Sequence, residues 1–453
     1  MNIVKLKSMG FIFACFFITP SYLFSQDIKF KPLPEFDQTE LGYGGVTDMT
    51  QDADGYMWFS TLNGLYRYDG YQIVTYLNEK GNPNSLAFNH TNTVYADENG
   101  LIWIGIFGKG MDCLNPKTGN FKHYTFNPNS AKGISNDSVS IIRGDTKGGL
   151  WVGTHNGLNY FNTQTEEFIP YKHNENDPTS LSYDKIKTIY RDKAGTIWVG
   201  AGLPFLNEGG RINKGGLNRF NPQANNFTRY LHNPNEPNSL MDNHVTAIFE
   251  DSRGIFWVGT MKDGLHTMDR SKGTFERHPY DKAHLNNLSR PPVKNVIPYA
   301  DDYISFILED ATKAIWIGTM SNGVNRYDPP SKKMTFYDGV KDTTRGLKYC
   351  CYFTAFISKD SVLWFAPWLD ELVKADPYLK KIPFTSHENY LKGAIKENKD
   401  ILWLYGEKGL IRKDLKTGIQ KYYKHDPKKS NSLSHDYIKC IEIDKNRKKF
   451  ISK

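Results

Sequence analysis

Amide and carboxylate side chains recur at one register. Asn89, Asp137, Asp184, Asn243, Asp302 and Asn389 each stand fourteen residues before a tryptophan, and Asp436 stands fourteen before Phe450, with Gly44 and Cys350 breaking the series. Such groups around one opening could hydrogen-bond the hydroxyls of a sugar, and Asp137, Asp184 and Asp302 could in principle supply the paired carboxylates of a glycosidase. The same residue types also cap turns by accepting main-chain amide hydrogens, so both readings stay open. A second set falls where hairpins should turn: Lys109, His155, Phe205, Arg211, Lys214, Lys262, Asn322 and Trp368. Aromatic plates beside amide, acid and cationic groups suit a saccharide, whose apolar ring face stacks while its hydroxyls bond. The candidate ligand-binding residues are Asn89, Asp137, Asp184, Asn243, Asp302, His155, Phe205, Arg211, Lys214, Lys262 and Trp368. Trp368 equally fits packing between sheets. No nucleophile triad, phosphate-binding glycine loop or metal-ligand cluster stands out, and His90, His155 and His244 are scattered, so no catalytic residue, metal ligand or cofactor is assigned.

These residues are positioned by a repeat. The phrases Trp58-Phe-Ser-Thr, Trp103-Ile-Gly-Ile, Trp151-Val-Gly-Thr, Trp198-Val-Gly-Ala, Trp257-Val-Gly-Thr, Trp316-Ile-Gly-Thr, Trp364-Phe-Ala-Pro and Trp403-Leu-Tyr-Gly follow one another at intervals of 45, 48, 47, 59, 59, 48 and 39 residues. That spacing holds about four short strands and their turns, the content of a propeller blade. Six residues before the aromatic position stands an acid (Asp52, Asp97, Asp145, Asp192, Asp251, Asp310, Glu397, Asp444), replaced by Ser358 in one unit, and three before it stands Gly in the first five units. Asp-x-x-Gly between apolar runs is hairpin chemistry: the carboxylate bonds amides two residues on, and Gly takes the positive φ. The small residue after Trp-Val or Trp-Ile fits a strand buried on both faces, where neighbouring blades approach closely.

The reading is all-β: a seven-bladed β-propeller over residues 27–386, then the first blade and part of the second blade of a second, incomplete propeller over 387–453. Leu379–Phe384 is expected as the fourth strand of the seventh unit, and the short strand Ile28-Lys-Phe-Lys is expected to pair in that last blade and remove its open edge. A single eight-bladed ring is the competing count. The ninth unit stops three residues after Phe450, which reads as a fragment or truncated product of something longer. Two long excursions mark places where something is touched or the surface merely wanders: Leu203–Lys214 in the second hairpin of unit four, and Pro279–Tyr303 between units five and six.

The aromatic content of 14%, 38 Gly and 22 Pro agree with this body. Lys5 and Lys7 precede an apolar run that ends at Ser25, so residues 1–25 read as a signal peptide and the mature chain as exported to the periplasm; a lipidated Cys15 or a retained anchor are the alternatives. The net charge of +8, or +6 without Lys5 and Lys7, is spread over every unit and argues against nucleic acid, which needs a concentrated basic patch. Cys113, Cys350, Cys351 and Cys440 do not make a disulfide framework and read as buried thiols.

The units Asp145-Thr-Lys-Gly-Gly-Leu-Trp-Val-Gly-Thr-His-Asn-Gly-Leu and Asp251-Ser-Arg-Gly-Ile-Phe-Trp-Val-Gly-Thr, with the Asn-Ser-Leu segments at 238–240 and 431–433, closely resemble two-component regulator propeller repeats. The resemblance runs over about residues 40 to 453 and departs at unit seven, where Ser358, Ser361 and Glu371 replace the acid, the turn glycine and the Gly-Leu phrase. It implies the periplasmic sensor half of a hybrid two-component histidine kinase of the kind common in Bacteroidetes. Also implied are two seven-bladed propellers, an immunoglobulin-like domain, an inner-membrane span, and kinase, receiver and DNA-binding modules outside this segment. An oligosaccharide or other small ligand is the implied partner, and a homodimer the implied state of the full receptor. The segment itself lacks the kinase histidine, nucleotide site and receiver aspartate, so it would bind without phosphorylating. The alternative from another class is a secreted propeller glycosidase or lyase. Against a sialidase stands the spacing, Asp-x-x-Gly-x-x-Trp here and Asp-x-Gly-x-x-Trp there.

Overall fold

The computed structural model describes residues 28, 30–33, 45–130, 132–202, 214–262, 264–279, 288, 303–320, 323–337, 351–368, 371–377, 391–398, 400–443 and 449–452. The expected strand at 379–384 and the site candidates Phe205, Arg211 and Asp302 lie outside them. The chain divides into two compact units, Met1–Pro377 and Tyr378–Lys453.

In the first unit the described residues form seven four-stranded antiparallel sheets. Their first strands are Val46–Gln51, Thr91–Ala96, Val139–Gly144, Ile186–Arg191, Val245–Glu250, Ile304–Glu309 and Tyr352–Ile357, numbered here as the inner strands of blades one to seven. Each inner strand packs beside that of the next blade, and the seventh packs beside the first, which closes the ring. Blade seven takes its outermost strand from the other end of the chain: Phe30–Pro32 pairs antiparallel with Val373–Ala375, Phe30 opposite Ala375. The N-terminal strand thus takes the fourth place in that sheet among the described residues. Phe30 is buried among Trp316, Tyr337 and Phe365, with ring centroids 6.2, 5.0 and 5.7 Å away.

The tryptophans sit in the seams. Trp58 packs into blade two with Val94, Ile102 and Ile104, Trp257 into blade six with Ile307, Ile315 and Ile317, and Trp364 completes the circle against Phe59 and Tyr68 of blade one. At ~25 cal/mol per Å², an indole removed from water contributes roughly 4–6 kcal/mol of transfer free energy as an upper bound. Close approach across a seam explains the glycine after Trp-Val: a Cβ on Gly153 would lie 2.6 Å from the Cγ2 atoms of both Ile141 and Ile186.

The acid six residues before each tryptophan does more than close a turn. One oxygen of Asp192 accepts the amides of Ala194 and Thr196 at 3.0 and 2.8 Å, and the other accepts the Trp198 indole N–H at 2.8 Å. The same indole bond forms at Asp52, Asp97, Asp251, Asp310 and Glu397. It fails in two units: Asp145 accepts the Tyr160 hydroxyl instead, and Ser358 turns to Asp360 and the Val362 carbonyl. The turn glycines adopt the required conformation, φ being 85° at Gly254.

The second unit repeats the design in strands Leu391–Lys396, Ile401–Gly406, Gly409–Asp414 and Gln420–Tyr423, followed by the pair Cys440–Ile443 and Lys449–Ser452. Trp403 packs there against Leu410, Ile438 and Ile441.

Candidate functional site

The amide and carboxylate row serves the chain itself. Asn89 accepts the Asn78 amide at 2.6 Å, Asp137 the Phe126 amide at 2.6 Å, Asp184 the His173 amide at 2.7 Å and Asn243 the His232 amide at 2.6 Å. Each latch ties the residue just past a blade's outer strand to the start of the next inner strand. Asp436 repeats it with His425 in the second unit. Asn89, Asp137, Asp184 and Asn243, expected at a ligand-binding rim, are not among the residues lining the central cavity, and each has one oxygen committed to an amide. The Asn-Ser-Leu segments belong to the same latch. Ser239 Oγ accepts the Asn233 amide at 2.9 Å, and Leu240 is fully buried.

Two of the hairpin-tip candidates, His155 and Trp368, line a cavity. The ring encloses a cavity of about 790 Å³ whose mouth includes Leu62, Phe107, His155 and Trp368, all at tips between second and third strands. Lys262 is exposed at its tip and does not line the cavity, and Lys214 is exposed with its ammonium 5.8 Å from the Tyr183 ring centroid. The tips are held from below. The amides of Phe107, His155 and Trp368 donate to the carbonyls of His90, Ser138 and Cys351 at 3.0, 3.0 and 3.1 Å. Phe107 stacks on His90 at 4.9 Å and meets His155 edge-on at 6.0 Å, while Trp368 meets Phe353 edge-on at 5.3 Å. Blades seven, one, two and three thereby present an apolar arc, with Leu62, Phe107 and Trp368 exposed at 41, 43 and 43%. Burial, helped by the charge of Lys185, holds the His155 imidazole down at about 4, and burial lowers His90 as well, so both rings are neutral at neutral pH.

The floor of the cavity was not foreseen. Every inner strand of the first ring has a register shift at its second residue, so Thr47, Asn92, Ser140, Lys187, Thr246, Ser305 and Phe353 stand at bulges lining the bore. Four of them bond the next blade: Thr47 donates to the Thr91 carbonyl at 2.9 Å, Asn92 to Val139 at 2.8 Å, Ser140 to Ile186 at 2.6 Å and Thr246 to Ile304 at 2.6 Å. Aligning the units on tryptophan shows the signal: eleven residues before it stand Thr, Asn, Ser, Lys, Thr, Ser and Phe, so that Lys187 and Phe353 break a small polar series. Asp48 and Arg143, paired at 3.1 Å, also line the floor. Among the described residues no group of three or more His, Cys, Asp or Glu is placed to hold a metal ion, and no helix is long and apolar enough to cross a membrane.

Three segments, 40–63, 180–202 and 239–262, match the two component regulator propeller model. The latter two begin at the latch serine, and all three run through the inner strand and the tryptophan strand. A 114-residue stretch, 24% of the chain, is 29% identical to Histidine kinase P4 of Formosa agariphila and covers 8% of that protein. Among solved structures, the extracellular domain of a B. thetaiotaomicron hybrid two component system superimposes with a TM-score of 0.61 at 21% identity, over 94% of this chain and 52% of that one. The extracellular domain of a B. thetaiotaomicron one component system gives 0.57 at 19%, over 93% and 51%. Virginiamycin B lyase of Staphylococcus aureus gives 0.52 at 14%, over 77% and 99%. At these identities the structural likeness establishes the fold. The chain spans about half the length of the two B. thetaiotaomicron domains. The recurring units and the closed ring they build agree with the three segments that match the two component regulator propeller model.

Proposed function

We propose that this chain is the ligand-sensing, exported part of a two-component receptor, working in the periplasm and relaying to a kinase outside these residues. Its ligand is an oligosaccharide seated at the mouth of the first ring, against Trp368, Phe107 and His155. The observation that carries this reading is the aromatic arc over a polar bore, its tips pinned by main-chain hydrogen bonds and its apolar rings left exposed. Pinned tips lose little freedom on binding, and exposed indole and phenyl faces supply stacking area for a sugar ring. Signalling then needs a ligand that favours one arrangement of the full receptor, a homodimer in this reading, over another.

Calorimetric titration of the protein with defined glycan pools, alongside turnover assays on the same pools, tests the proposal. Saturable binding without turnover, weakened about tenfold or more by Trp368→Ala, is expected for loss of a stacking plate. Turnover would move the chain to the glycosidase or lyase class, and absence of binding to any pool would overturn the sensor reading.

A further inference from the structure

The bore of the first ring holds a cation that its surroundings do not neutralise. Lys187 occupies in blade four the bulge position from which Thr47, Asn92, Ser140 and Thr246 bond their neighbouring blades. Among the described residues its ammonium has neither an ion pair nor a hydrogen-bond acceptor. What it meets is the ring of Phe353 in blade seven, across the channel, 5.2 Å from the centroid. Phe353 in turn meets Trp368 at the mouth, so one line of contacts joins the part-buried Lys187 to the exposed indole.

The nearby acid is already taken. Asp48 is the sole carboxylate among the described residues lining the cavity. Its Oδ2 accepts the Thr93 hydroxyl at 2.6 Å and Arg143 at 3.1 Å, and its Oδ1 accepts the Met49 amide at 3.0 Å. With His90 and His155 neutral, Asp48, Arg143 and a protonated Lys187 give the described lining one positive charge. Burial lowers the Lys187 pKa, and the Asp48 charge, itself opposed by Arg143, offsets only part of that. The Ser305 hydroxyl lines the same bore, buried and without a hydrogen-bond partner among the described residues. A cation and an unused hydroxyl beneath an aromatic arc are complementary to a ligand with an anionic group on an apolar-faced ring.

We infer that the channel takes an anionic saccharide, its acid group on Lys187 and its ring against Trp368 and Phe107; this rests on the sensor reading above and narrows its ligand class. A neutral sugar would seal Lys187 from water unpaired, which costs free energy, whereas a carboxylate or sulfate makes a charge-assisted hydrogen bond there. Lysine acts as a point charge, so carboxylated and sulfated sugars share this chemistry.

The test is calorimetric titration of the full 453-residue chain with oligoglucuronate, sulfated oligoglucose and unmodified oligoglucose of one length. At least one acidic probe is expected to bind about tenfold or more tightly than the neutral one, as an added charge-assisted bond requires. Lys187→Met keeps the length and apolar stem and should abolish that preference, while Lys187→Arg should keep it; a thermal melt verifies that both variants fold. Equal binding of acidic and neutral probes, or a preference that survives in Lys187→Met, overturns the anionic assignment and leaves the sensor reading standing. Failure of all three probes to bind removes both.

Discussion

The indole N–H of Trp58 donates to the Asp52 carboxylate at 2.7 Å, while that carboxylate's other oxygen accepts the Tyr56 amide at 2.9 Å. One buried acid thus fastens the turn that precedes the strand and the side chain that fills the next seam. Trp151 is equally buried, yet its indole nitrogen has no partner among the described residues. Trp58→Phe should therefore destabilise the ring more than Trp151→Phe, by about 1.5–3 kcal/mol, the value of a hydrogen bond to a charged group. Urea unfolding of the two variants measures the difference, and equal costs would remove the fastening role of Asp52.

Seam spacing is set by the glycine after Trp-Val. Gly153→Ala brings a methyl within 2.6 Å of two isoleucine side chains on adjoining strands and should cost about 1–3 kcal/mol by overpacking. The readout is the urea midpoint at unchanged slope.

The latches separate structural from ligand-binding roles. Asp137→Asn keeps an oxygen for the Phe126 amide, as Asn89 and Asn243 do in their own latches, and should be nearly neutral. Asp137→Ala strands that amide and should cost about 1–2 kcal/mol. Saccharide affinity should be the same in both variants; a loss confined to Asp137→Ala with stability intact would return this residue to the binding site.

Only part of the site was visible in the residue pattern, and the division has a physical cause. Asp-x-x-Gly and Trp-x-Gly act on neighbours within a few positions, so their spacing reveals blades directly. Asp184 uses one side-chain chemistry for either an amide or a sugar hydroxyl, and only coordinates show that the His173 amide takes it. Lys187 reaches the bore because its strand is bulged, a feature made by pairing with the next strand and marked in the sequence only by its place eleven residues before tryptophan. The hairpin-tip positions of Trp368 and His155 follow from strand order alone.

A pH dependence follows from blade two. His123 donates Nδ1–H to Asp112 at 2.6 Å and Nε2–H to the Pro83 carbonyl at 2.8 Å, and the Asp112 contact raises its pKa to about 9. Burial has the larger effect on Asp112 and raises its carboxyl, while His123 and the Ala87 amide pull it down. The folded His123 value lies above the unfolded 6.5, so this contribution is complete below about pH 6.5 and is lost as pH rises through about 9. Allowing for the half-exposed ring, it amounts to about 1 kcal/mol. Thermal melts from pH 6 to 10 should show the decline in the native protein and a flatter profile in His123→Gln.

The pairing of Phe30–Pro32 with Val373–Ala375 has a consequence for biogenesis. The strand made early in translation must wait, unzipped, until the distant hairpin that receives it emerges, so the circle shuts in a single late event with a large loop-closure penalty. Until that moment Phe30 and the seam around Trp316 are open to proteases and to other chains. A protease or chaperone can therefore distinguish finished rings from unfinished ones by this one clasp.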